Sequence, residues 1–227
     1  MTNLQASELA RYIDHTNLRP EVTPDDIHRL CKEAVSYGFY AVCVNPIFVP
    51  QCSEHLRETG VKVCSVVGFP LGATPTTIKV EETHWVCERG AAEVDMVIAI
   101  GLLKAKLYSA VEADIAAVVE AARANNAAVK VILETAMLTD EEKIMACELA
   151  KSVGAAFVKT STGFSKAGAT IEDVKLMQKA VKAEIGVKAS GGIKTLAQAM
   201  AMLEAGATRL GTSASVAILE EARRMQA

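Results

Sequence analysis

Metal-ligand and disulfide spacings are both missing from this chain. The six cysteines (Cys31, Cys43, Cys52, Cys64, Cys87 and Cys147) form no CxxC pair. The four histidines (His15, His28, His55 and His84) show neither HExxH nor a His/Cys cluster. A structural metal and a disulfide framework are therefore not expected, and free thiols point to a reducing compartment. No apolar run reaches the ~18 residues of a membrane span, and Met1–Arg11 has no signal-peptide core, so a cytoplasmic location without a membrane partner is expected. The net charge is −3 with interspersed signs, leaving no basic stripe for nucleic acid. Neither GxGxxG nor GxxxxGK[ST] occurs, so no nucleotide cofactor is indicated. No Pro/Ser/Gly-rich linker divides the chain, and residues 1–227 read as a single domain near the ~250 residues of one α/β barrel.

Aromatics make up only 4% of the chain against 51% hydrophobic residues, which suits Ala-rich helices around Val/Ile strands. What recurs is a helix, a stopping glycine and a short β-branched run. The leading glycines are Gly38, Gly60, Gly90, Gly154, Gly186 and Gly206. Adding Tyr12–Thr16 and Ala128–Glu134 brings the strands to eight. Helix starts are read at Thr23-Pro24, Asn45-Pro46, Thr74-Pro75 and the Thr139/Glu142 capping box. Strands alternating with helices imply parallel pairing. Even strands share one pattern and odd strands another, as expected where alternate strands fill one interior layer. The fold class is thus α/β, a single-domain (βα)8 barrel.

In such a barrel the chemistry sits at the C-terminal ends of the strands. Five residues after the leading glycine, the even strands place Cys43, Asp95, Lys159 and Gly211 in one column. Charges rarely occupy a strand buried on both faces, so Asp95 and Lys159 read as a buried acid–base pair. Such a pair alone also fits a structural salt bridge. Lys188, just before Gly191-Gly192, adds a second amine. An adjacent ammonium and poor solvation favour the neutral, nucleophilic form of a lysine. Lys62 and Lys130 align with Lys188 but fall near strand beginnings, and are placed at the barrel's bottom or rim. Phosphate is expected at the glycine loops after strands seven and eight, each read as opening a helix, with Ser161, Thr162 and Gly163 supplying further donors. Trp85 is read as packed on the sheet, and His15 as a core histidine beside Asp14.

The segments YIDHTNL (12–18), AVCVNP (41–46), VGFPLGA (67–73), EVDMVI (93–98), KVILET (130–135), FVKTSTGF (157–164), VKASGGIK (187–194) and RLGTS (209–213) resemble the deoxyribose-phosphate aldolase family in order and spacing. The resemblance implies a class I aldolase without metal or organic cofactor, interconverting 2-deoxy-D-ribose 5-phosphate with D-glyceraldehyde 3-phosphate and acetaldehyde. It makes Lys159 the Schiff-base lysine, Lys188 its proton-transfer neighbour and Asp95 the acid/base carboxylate. Phosphate contacts would come from the backbone around Gly163, Gly191, Gly192, Gly211 and Ser213. Cleavage is read at the C3–C4 bond, and a homodimer is left open. Phe164 stands where some members have lysine, and the RRMQA end lacks a tyrosine some carry. The rivals are another Schiff-base aldolase or transaldolase, and a non-catalytic sugar-phosphate-binding barrel.

Overall fold

The computed structural model describes residues 4–226; Met1–Asn3 and Ala227, at the tips of the two terminal stretches read above, lie outside them. Eight parallel strands close into a barrel in sequence order. They are β1 (Ile13–Asn17), β2 (Ala41–Val44), β3 (Lys62–Val67), β4 (Glu93–Val97), β5 (Ala128–Ile132), β6 (Phe157–Lys159), β7 (Gly186–Ser190) and β8 (Arg209–Thr212). The helices are α1 (Ala6–Ala10), α2 (Pro24–Tyr37), α3 (Val49–His55), α4 (Thr76–Glu88), α5 (Ile100–Lys104), α6 (Tyr108–Arg123), α7 (Asp140–Ser152), α8 (Ile171–Val181), α9 (Leu196–Glu204) and α10 (Ser215–Gln226). No helix among the described residues is long and apolar enough to cross a membrane.

Strand alternation sorts the side chains into two environments. Val42, Val94, Met96, Val131, Val158 and Leu210 belong to the apolar core shared with Ile27, Leu30, Ile115 and Met177 of the helices. Each fully buried aliphatic side chain stabilises by about 1.5–3 kcal/mol, so this shell supports an interior that is unusually polar. Inside the barrel, Leu18, Cys43, Cys64, Val66 and Phe69 form a small separate apolar cluster. Barrel interiors are ordinarily filled by branched aliphatics, and charged side chains occupy most of the remainder here.

The helix signals held in part. Thr23 and Thr139 cap α2 and α7 with reciprocal capping boxes. Asn45 opens only a 3-10 turn and gives its amide to the Leu18 carbonyl. Thr74 is not a cap, because α4 starts at Thr76 behind Pro75 with no side-chain cap. Gly38, Gly60, Gly90, Gly154 and Gly206 all take positive φ, as a helix stop requires. Gly186 does not: Lys182 and Ala183 make that left-handed turn, and a Cβ on Gly186 would lie 2.3 Å from the Phe157 ring. Its requirement is close packing inside the barrel.

Trp85 is not packed on the sheet. It is 38% exposed with the Arg89 guanidinium 4.2 Å from its ring centroid. The inner face of α4 is Lys79, Thr83, Val86 and Cys87, a stripe from which position 85 is excluded. Buried Lys79 pairs with Asp114 of α6 at 2.6 Å and donates to the Val97 carbonyl at 3.0 Å, tying two helices to the end of β4.

Candidate active site

The strand register carries Asp95 and Lys159 into one cluster. Lys159 aligns with Lys188, and Lys188 with Arg209; Asp95 aligns with Lys130. One carboxylate oxygen of Asp95 accepts from both Lys159 Nζ and Lys188 Nζ at 2.7 Å. Its other oxygen accepts from Lys130 Nζ at 2.8 Å and from the Cys64 thiol at 3.2 Å. Gly211, the fourth member of the even-strand column, leaves space for Lys188: a Cβ there would stand 2.9 Å from Lys188 Cε.

Lys130 is not at the bottom or rim. It is fully buried at the centre of the network, 2.6 Å from Glu93 as well as 2.8 Å from Asp95. The third residue of β5 points inward level with Asp95, whereas Lys62 begins β3 and is exposed. Asp14, Glu93 and Arg209 also belong here. Asp14 binds Lys188 Nζ through one oxygen and Arg209 through the other at 2.9 Å; Arg209 reaches Glu93 at 3.0 Å. The Arg209 guanidinium lies 3.6 Å from the centroid of the Tyr40 ring. His15, one residue from Asp14, faces the other way and bonds Glu33 of α2 at 2.8 Å, with burial holding its pKa below the ordinary value.

Electrostatically, each charge is held by the others. Burial opposes ionisation of Asp95, but Lys130, Lys159 and Lys188 outweigh it and keep its pKa well below the carboxylate range. Asp14 is likewise lowered against burial, by Lys188, Lys130 and Arg209. Burial also opposes the Lys188 ammonium, yet Asp14 and Asp95 hold it above the lysine range. Lys130 is raised in the same way, chiefly by Asp95 against its burial. Two sets of side chains lie close enough for a metal, Cys43/Cys64/Asp95 and Asp14/Cys64/Glu93. Their carboxylates already face ammonium and guanidinium groups, which supply the positive charge a cation would bring.

Above this network opens a cavity of about 670 Å³. Lys159 lines it, while Lys188, Lys130 and Asp95 do not. Gly163, Gly191, Gly192, Gly211 and Ser213 all line the same cavity. The two glycine loops do not open helices directly. Helix α9 starts at Leu196 behind its Thr195 cap, and Gly211 and Thr212 are still in β8, with α10 beginning at Ser215. Gly191 and Gly192 instead take φ of 89° and 79°, which bends the chain over the cavity. Thr212 fastens the loops together, donating to the Ile193 carbonyl at 2.6 Å and accepting from the Ala214 amide at 2.9 Å. Thr162 is less available than its position suggests, since its amide and hydroxyl both point to Glu134. Phe164 is half exposed and edge-on to Phe69, and Arg19, Arg29 and Lys194 bring further positive charge to the cavity lining.

The model of the DeoC/LacD family aldolases matches residues 9–220. A deoxyribose-phosphate aldolase of Thermococcus gammatolerans is 59% identical over 221 residues, covering 96% of this chain and 98% of that protein. The Thermococcus kodakarensis enzyme of the same name is 60% identical over 217 residues, covering 95% and 97%. A deoxyribose phosphate aldolase structure from Aeropyrum pernix, described as tetrameric, superposes with a TM-score of 0.92 at 36% identity, covering 97% of this chain and 93% of that one. The chain belongs to the DeoC/LacD family of aldolases.

Proposed function

We propose that this protein is a class I deoxyribose-phosphate aldolase, with residues 1–227 as one catalytic domain and Lys159 as its Schiff-base lysine. One observation carries the reading: of the three lysines bound to Asp95, Lys159 alone lines the cavity walled by glycine loops. The buried network sets three carboxylates (Asp14, Glu93, Asp95) against four basic groups (Lys130, Lys159, Lys188, Arg209). The network thus holds one more basic group than carboxylates, and Lys159 is the basic group that meets substrate.

Neutral Lys159 adds to C1 of the open-chain sugar, and loss of water gives a protonated imine. A base removes the proton of the C3 hydroxyl, the C3–O bond becomes a carbonyl, and the electrons of the broken carbon–carbon bond flow into the imine to form an enamine. Carbon count corrects the bond assigned from the sequence. Acetaldehyde keeps C1 and C2, so C2–C3 breaks rather than C3–C4. On this reading Asp95 and Lys188, joined at one oxygen behind Lys159, move these protons and the later one onto C2 through a water. Phosphate on the glycine wall holds the remote end of the sugar, converting binding into orientation. Small-molecule aldehydes and sugar phosphates are the partners of this reading.

Incubation with 2-deoxyribose 5-phosphate in EDTA should yield acetaldehyde and glyceraldehyde 3-phosphate, measured by coupled dehydrogenases. Cleavage only of keto-acid or dihydroxyacetone-type substrates would assign another Schiff-base aldolase, and no cleavage at all a binding protein. Ser213→Glu tests the anion wall. A carboxylate there should raise KM for 2-deoxyribose 5-phosphate about tenfold or more, as expected for one close like charge. KM for unphosphorylated 2-deoxyribose should barely move. Equal changes would reduce these loops to turns.

A further inference from the structure

Glu134 differs from the other buried carboxylates of the described residues. Asp14, Glu93, Asp95, Asp114 and Asp173 each meet a lysine or arginine. Glu134 is 2% exposed, yet no cation reaches it among the described residues. One of its oxygens accepts both the Thr162 amide, at 3.3 Å, and the Thr162 hydroxyl. The other makes no hydrogen bond to the protein. Its backbone is left-handed, φ 58° and ψ 63°, a conformation that costs a residue with a Cβ and gathers at functional sites. The amides on either side lock this turn to the neighbouring strand end: Leu133 donates to the Lys159 carbonyl at 2.9 Å, and Thr135 to the Thr160 carbonyl at 3.0 Å. Thr162 Oγ in turn accepts the Phe164 amide at 3.1 Å, so Gly163 is suspended between two fastened residues on the cavity wall.

Two unfavourable features therefore coincide beside the reactive lysine: a left-handed side-chain-bearing residue, and a carboxylate buried without a counter-ion. Neither is needed to close the barrel, because β5 and β6 already pair through Lys130–Phe157, Val131–Val158 and Ile132–Lys159. We propose that Glu134 is a positioning residue for the anion-binding loop, holding Thr162 so that the backbone at Gly163 faces the substrate's phosphate. This rests on the reading of that loop as part of the phosphate wall. Glu134 touches no reacting atom; it acts through Thr162.

Glu134→Gly removes the carboxylate and at the same time accepts φ 58° without strain, so loss of folding is not what the variant measures. Glu134→Gln keeps an oxygen acceptor for Thr162. In Glu134→Gly, KM for 2-deoxyribose 5-phosphate should rise on the order of tenfold, the scale of a lost charge-assisted hydrogen bond. KM for unphosphorylated 2-deoxyribose and the rate of acetaldehyde trapping at Lys159 should change by less than about twofold. Glu134→Gln should restore most of the phosphate discrimination. Equal changes for both sugars, or none for either, would overturn the proposal. Ser213→Glu separates the two layers of the argument. If it discriminates between the sugars and Glu134→Gly does not, the anion wall stands and the role of Glu134 falls. If neither discriminates, the wall itself falls.

Discussion

Lys159→Ala abolishes turnover and leaves the barrel folded. Losing a covalent nucleophile removes the whole pathway through the imine, so kcat should drop on the order of 10⁴-fold or more. The fold should survive because the substitution takes away one of four basic groups facing three carboxylates. Asp95 retains Lys130 at 2.8 Å and Lys188 at 2.7 Å, and Asp14 retains Lys188 and Arg209. In the unaltered protein, acetaldehyde with borohydride should add one ethyl group to Lys159, located by peptide mass mapping. Lys188 and Lys130 lie behind it, away from the cavity wall. An ethyl group found on Lys188, or turnover persisting in Lys159→Ala, would move the covalent step to another residue.

Asp95→Asn should damage both turnover and stability. The amide cannot neutralise three lysines, and the remaining Asp14 and Glu93 face four basic groups. Breaking a buried ion-pair network from one side costs about 3–5 kcal/mol. For a chain of this size that lowers Tm by roughly 6–20 °C, at about 2–4 °C per kcal/mol. Adding Lys159→Ala to Asp95→Asn should recover part of the loss, because it removes one of the stranded charges. A Tm within a degree or two of the parent in the single variant would mean that Asp95 is held for chemistry alone. The pH dependence follows from the same charges. Asp14 and Asp95 have lowered folded pKa values, so their contribution is present above the unfolded value near ~4 and is lost as pH falls through the folded ones. Lys130 and Lys188 have raised folded values. Their contribution is complete below the unfolded value near ~10.4 and is lost as pH rises through the folded ones. The contribution of these four groups to Tm should therefore be level between these limits in the parent and lose part of its acid arm in Asp95→Asn.

The barrel was legible because its punctuation is local. A glycine at positive φ ends a helix whatever surrounds it, and the offset of five from glycine to Asp95 and to Lys159 survives folding because each strand enters the barrel at the same phase. The limits appear where phase depends on neighbours. Lys130 and Lys62 occupy matching places in sequence, but only the register of β5 against β4 sets Lys130 beside Asp95. Asp14 and His15 are adjacent, and nothing local says which faces inward. Arg209 and Glu93, which the strand pattern does not single out, meet only when the barrel closes. Lys79 conceals the inner stripe of α4, since a charged residue in that stripe makes the helix read as having no apolar face. Glu134 reads as the last residue of the Ala128–Glu134 strand, but β5 ends at Ile132 and nothing local announces the left-handed turn at Glu134.

The bond between Arg209 and Asp14 spans 195 positions of sequence. During translation the first strand made carries a carboxylate whose guanidinium partner is encoded in the last one. Until β8 arrives, Asp14 has Lys188 and Glu93 has Lys130, but neither has its guanidinium partner and the seam between β7 and β1 stays open. Closure of the barrel thus waits for β8. A fragment ending before Arg209 should remain open and protease-sensitive, and it should close when a peptide carrying β8 and α10 is supplied in trans.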